Sequence, residues 1–248
     1  MPPPPIMHFC IVIAIIYIII AIVATILLVQ HGPRLRSHKV VLLGLDGLGV
    51  PNLRQANTPN LDSLYYQEVS IDPNSYDSGP NWVGMLTGHN SDTSGIGNNE
   101  CILPAHETLF DEYASAVYTQ WDIIQCYSHN IQRYTYAPYT GELFNETLLR
   151  DTLYGNESFV FIHIDVLDHY SHLVGADNDT FVQALEAIDS TLMPLLMSHT
   201  LVVASDHGSK QGGTGHSYDR VPILTQHATS HNSVYHIVHE YLVNRRRV

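Results

Sequence analysis

The chain has 248 residues and a formal net charge of −13, from 24 acidic against 11 basic residues. That length holds one domain of ordinary size, and the charge excludes a nucleic-acid-binding surface, which needs clustered Lys and Arg. Sixteen His residues in an acidic chain point instead to bound cations, which let an acidic protein handle an anionic substrate.

The first element is the uncharged run IMHFCIVIAIIYIIIAIVATILLV, residues 6–29. It is long enough to span a bilayer, has no polar face and lacks a basic leader, so a retained transmembrane signal anchor is expected. The expected organisation is a tail and membrane helix over residues 1–30, a basic linker over 31–38 and one catalytic domain over 39–248. Arg34, Arg36 and Lys39 favour a cytoplasmic body by the positive-inside rule. The sequons at Asn145, Asn156 and Asn178 favour the secretory lumen, and a lumenal or extracellular body is the expectation. Cys101 and Cys126 fit either a disulfide or two free thiols.

The body opens on VVLLGLD, Val40 to Asp46, a continuous apolar run of the kind that fills a parallel sheet covered on both faces. Thr58-Pro59 predicts a helix start, with Thr58 as N-cap and LDSLYY continuing the helix. FVFIHID, Phe159 to Asp165, predicts a second buried strand. A helix is expected over Thr180 to Met197, where Phe181, Leu185, Ile188 and Leu192 recur at helical spacing. TLVVASD, Thr200 to Asp206, is a third strand. Strands ending in Asp and alternating with helices indicate an α/β fold with a largely parallel central sheet, whose ligands gather outside the carboxyl ends of the strands.

Histidines accompany those acids. Asp168 and His172 lie four apart, Asp206 and His207 are adjacent at a strand end, and His216 comes next in the loop GGTGH. Each pairing alone is commonplace in loops and caps. Brought to one rim, they make a three-Asp, three-His set suited to two divalent cations, zinc first and manganese as the alternative.

The order of these motifs, LLGLDG, TPNLDSL, SGPNWVGMLTG, IHIDVLDHYSHLVG, VVASDHG and GTGHS before VPIL, resembles the alkaline phosphatase superfamily, and within it the type I phosphodiesterase and nucleotide pyrophosphatase branch. The resemblance implies one metal held by Asp46, Ser78, Asp206 and His207, and a second by Asp168, His172 and His216. Asp165 and His169 also read as D-x-x-x-H. The frame Asp168/His172 is preferred because Gly175 stands three residues after His172 as in the family, which leaves Asp165 and His169 to orient the ligands. Ser78 takes the place of the family's nucleophile at a helix start, and Asn81 that of a phosphate-contacting amide.

Trp82 occupies the position where sulfatases carry Arg, which disfavours that branch. Ser94-Gly95 stands where family members often have His-Gly, and the stretch from Cys101 to Glu157, where substrate-binding insertions would lie, carries no motif of the resemblance. The implied activity is hydrolysis of phosphate mono- or diesters through a phosphoserine. The alternatives are a membrane phosphotransferase resembling the GPI ethanolamine phosphate transferases and a non-catalytic binding protein of the same fold. Substrate identity and oligomeric state stay open.

Overall fold

The structure, a computed structural model, describes Tyr17 and residues 39–245. Apart from Tyr17, the expected membrane segment and the linker after it lie outside the described residues. Among the described residues no helix is long and apolar enough to cross a membrane.

The strands are β1 (Val40–Leu45), β2 (Tyr65–Val69), β3 (Ser115–Thr119), β4 (Arg133–Tyr136), β5 (Phe159–Ile164), β6 (Thr200–Ala204), β7 (Gly208–Ser209), β8 (His216–Ser217) and β9 (Val221–Thr225). Seven of them form one sheet in the order β2-β9-β6-β1-β5-β3-β4, while β7 and β8 make a separate ribbon. Within the large sheet only the pairings of β9 are antiparallel. The longer helices are α1 (Val50–Gln55), α2 (Ser78–Thr87), α3 (Glu146–Leu153), α4 (Val166–Val174), α5 (Asp179–Thr191) and α6 (Val234–Arg245).

β1 is continuously apolar because it lies mid-sheet with both faces covered, and its six residues are all fully buried. Val41, Leu43 and Leu45 pack with Ile162, Val203 and Leu185 on one face. Val40 and Leu42 pack with Trp82, Phe161 and Val202 on the other. Each such side chain contributes about 1.5–3 kcal/mol by leaving water. Gly44 interrupts the run for a steric reason: a Cβ there would lie 2.5 Å from Cη2 of Trp82. Gly44→Ala is therefore expected to push the indole aside and to lower Tm by the roughly 1–3 kcal/mol typical of overpacking. Thermal denaturation and tryptophan fluorescence of the variant check this; an unchanged Tm and spectrum would show that the pocket has slack.

Two helix expectations need correction. The helix begun at Pro59 is a single turn, Pro59–Asp62, and Tyr65 already belongs to β2. Tyr65 to Val69 pair with β9 along its open edge, and that ladder outweighs a weak local helical pattern. Thr58 sits at the N-cap position without a side-chain cap bond. The buried Asp189 carboxylate takes that part, accepting the Asn60 and Leu61 N–H groups at 3.1 and 2.7 Å. The helix expected over 180–197 breaks after Thr191, and a separate turn runs over Met193–Leu196, because Pro194 lacks the N–H that would continue the ladder.

All three sequon asparagines are exposed. Asn145 and Asn178 use their side-chain oxygens to cap α3 and α5. Cys101 and Cys126 form a disulfide.

The central order β6-β1-β5 decides where the acids meet. Three parallel strands side by side deliver the segments that begin at Asp206, Asp46 and Asp165 to one rim.

Candidate active site

Asp46 follows β1, its N–H bonded to the Ile164 carbonyl of β5 at 3.0 Å. Asp206 follows β6 and accepts the Gly47 N–H through Oδ1 at 3.2 Å. His207 stands between them, fully buried, with Nε2 at 3.2 Å from Asp46 Oδ1 and 3.3 Å from Asp206 Oδ2. Ser78 Oγ lies 3.2 Å from the same nitrogen. The His207 Nδ1–H donates to the Gly208 carbonyl at 3.1 Å. A carbonyl can only accept, so Nε2 is the atom turned to the cluster.

The second group forms on α4 and at the start of β8. Asp168 Oδ2 is 3.3 Å from His172 Nε2, Asp168 Oδ1 is 3.5 Å from His216 Nε2, and the two imidazole nitrogens are 3.0 Å apart. The Ser171 hydroxyl donates to Asp168 Oδ1 at 3.1 Å. The rings of His207 and His216 stack at 3.8 Å, so the two groups adjoin.

Within the ambiguous frame, His172 faces the cluster. His169 leans away onto Tyr139, 4.8 Å between ring centres. Asp165 behaves differently from His169, because its carboxylate gathers with those of Asp46 and Asp168 inside 4.8 Å.

The electrostatics are those of a cluster short of positive charge. Burial and the Asp46 charge push Asp206 up to about 7, and the same two causes bring Asp165 up to about 7. Burial draws the His207 pKa down, but Asp206 and Asp46 outweigh it and carry the imidazole up to about 10. For Asp46 burial acts upward, yet the His163 hydrogen bond and neighbouring His207 hold the carboxyl well below the usual range. Asp46 Oδ1 and Asp206 Oδ2 are buried and, among the described residues, accept no well-directed hydrogen bond. Bare buried carboxylate oxygens beside an imidazole nitrogen fit a divalent cation, and Asp46, Asp206 and His207 form one compact set while Asp168, His207 and His216 form another.

Ser78 is the first residue of α2, as expected. Asn81 requires correction. Both of its amide hydrogens are donated, to the Ser75 and Asp77 carbonyls at 3.0 Å each, and its oxygen accepts the Asp72 N–H at 2.9 Å. Asn81 braces the loop that leads into Ser78 and has no N–H left for a phosphate. Asn99, which sequence reasoning passed over, lies closer to the chemistry: its Oδ1 accepts the N–H of Gly79, the residue after Ser78, at 2.7 Å. Trp82 Nε1–H and His163 Nε2 both reach Asp46 Oδ2, at 3.1 and 2.9 Å. His163 had one signal in the sequence, a lone polar side chain inside the apolar run FVFIHI.

The family model of the Metalloenzyme superfamily matches residues 105–244. No curated protein sequence matches the chain. An inactive variant of murine ectonucleotide pyrophosphatase/phosphodiesterase 5, in complex with AMP, superposes with a TM-score of 0.53 at 18% identity over 69% of this chain and 57% of that one. Alkaline phosphatase from the Antarctic bacterium TAB5 gives 0.58 at 12% identity, over 85% of this chain and 99% of that one. The C-terminal periplasmic domain of EcEptC from Escherichia coli gives 0.51 at 12%, over 82% and 74%. The chain thus spans little more than half of the murine protein's chain, and at these identities the likeness is one of fold.

Proposed function

Because the chain belongs to the Metalloenzyme superfamily, we propose that it is a metal-dependent hydrolase of phosphate esters with Ser78 as nucleophile. The observation that carries this reading is the convergence of Ser78 Oγ and the Asp46 and Asp206 carboxylates on His207 Nε2, all within 3.2–3.3 Å, at the start of a ten-residue helix.

Asp46, Ser78, Asp206 and His207 would hold one cation, and Asp168, His172 and His216 the second. The imidazole nitrogens favour zinc, with manganese next. Such ions favour ionisation of a hydroxyl and offset the negative charge that builds on a transferring phosphoryl group. The protein's part is placement. Ser78 Oγ forms a bond to phosphorus while the bond from phosphorus to the ester oxygen breaks, and water then releases the phosphoryl group from Ser78. At the start of α2 the Gly79 N–H is already taken by Asn99 and Pro80 has no N–H to give. Asn99, anchored through its oxygen on Gly79, has its amide N–H pair to offer a phosphoryl oxygen. Attachment through residues 6–29 and a lumenal or extracellular body belong to the same proposal, supported by three exposed sequons and the Cys101–Cys126 disulfide.

The test is a panel of p-nitrophenyl phosphate, bis-p-nitrophenyl phosphate and p-nitrophenyl sulfate on the purified chain. Turnover of at least one phosphate compound is expected, lost in chelator and restored by zinc, with little turnover of the sulfate. Preferred sulfate turnover, or activity indifferent to chelator, overturns the reading. Transfer to an added alcohol in preference to water would assign the phosphotransferase alternative.

A further inference from the structure

Asp46 Oδ2 is gripped from two sides. Trp82 Nε1–H approaches at 3.1 Å from α2, and His163 Nε2 at 2.9 Å from β5, while Oδ1 stays bare and faces His207. Two N–H donors meet at one carboxylate oxygen, which has two lone pairs to offer, and the other oxygen is left for a cation.

The surroundings show that this grip is built. His163 is fully buried between Trp82 and Phe161, with Trp121 nearby. Among the described residues its buried Nδ1 has no hydrogen-bond partner, so the ring's one hydrogen bond there is the one to Asp46. A leucine or phenylalanine would fill the space without stranding a nitrogen, and the rest of β5 is of that kind. The register places Gly44 of β1 beside His163, and the missing side chain at Gly44 is what admits the indole. Three positions on three elements thus serve one oxygen atom.

We infer that His163 is a positioning residue that, together with Trp82, confines Asp46 to single-oxygen coordination through Oδ1 and thereby favours a small ion with few ligands, such as zinc, over calcium. Calcium takes six to eight oxygens and commonly uses both oxygens of a carboxylate, which a doubly occupied Oδ2 denies it. The inference rests on the metal-dependent reading proposed above and deepens it.

The test is calorimetric titration of the metal-free chain with zinc alone and with calcium alone, beside thermal denaturation without metal. His163→Leu is expected to weaken zinc binding by about 10–100-fold, the range seen when a ligand's orienting partner is lost, and to narrow the zinc-over-calcium preference. His163→Gln, which keeps an N–H at similar reach, should stay within roughly threefold of wild type. Trp82→Phe provides a second route, with loss of zinc affinity in the same direction, should the leucine variant fail to fold. A folded His163→Leu with wild-type affinity and selectivity overturns the inference while leaving the metal site standing. A wild-type chain that binds no zinc overturns the metal-dependent reading itself.

Discussion

Replacing Ser78 by Ala is expected to cut phosphate-ester turnover by at least about a thousandfold while zinc content and Tm stay near wild type. Removal of a covalent nucleophile costs factors of this size or more. The fold should tolerate the change because Ser78 is a first-turn residue whose side-chain hydroxyl meets His207, so no packed carbon is lost. Zinc should remain because Asp46, Asp206 and His207 still converge without it. The measurements are steady-state kinetics on the phosphate panel, elemental analysis and thermal denaturation. An S78A protein with near wild-type turnover would place the attacking group elsewhere, with Ser75 or water as candidates.

His207→Ala should behave differently, losing zinc and turnover together, with affinity down by more than about a hundredfold. His207 Nε2 is the point on which Ser78, Asp46 and Asp206 converge. Asp206 and Asp46 carry the His207 imidazole up to about 10 in the metal-free protein, so a cation binding at Nε2 would have to displace a proton. Wild-type affinity should therefore fall as the pH drops, by roughly tenfold per unit for each displaced proton. The alanine variant should lose the share of that slope that His207 contributes.

Stability without metal runs the opposite way. A His207 pKa raised above its unfolded value near 6.5 contributes stability that is full below that value and is lost as the pH rises through 10. The raised Asp206 carboxyl penalises the fold as the pH climbs from about 4 through 7. Titration calorimetry across pH 6–9 on both proteins is the check. Zinc binding in His207→Ala as tight as in wild type would remove His207 from the ligand set.

The sheet and the acids at its rim were legible because both rest on local patterns. Buried parallel strands read as apolar runs, and Asp46 and Asp206 stand where those runs stop. The sequence leaves Asp165/His169 and Asp168/His172 as two readings of one pattern, and only the helix shows which imidazole lies near His216. Asp168 and His172 share one face of α4, while His169 sits on another face against Tyr139. What stayed hidden depends on loops and register. Asn81 looked free until the 72–77 loop closed over its amide. Asn99 lies 20 residues from the Gly79 it contacts, and nothing in the spacing predicts that meeting. His163 gains its meaning only from the alignment of β5 with β1. Tyr65 and Tyr66 read as helix from their neighbours but form strand, because pairing with Thr225 and Leu224, 160 and 158 positions away, outweighs what the neighbouring residues prefer.

The order β6-β1-β5 also bears on when a cation can be captured during synthesis. The contacts that build the rim join residues 117, 129 and 159 positions apart, and loop closures of that span are made late. Asp46 and Ser78 emerge from the ribosome long before Asp206, His207 and His216 exist. An early chain therefore offers a passing ion scattered oxygens and almost none of the nitrogens that would retain it. The full donor set therefore exists only after the chain has been made as far as His216, and a cation would meet it assembled only once β6 lies beside β1.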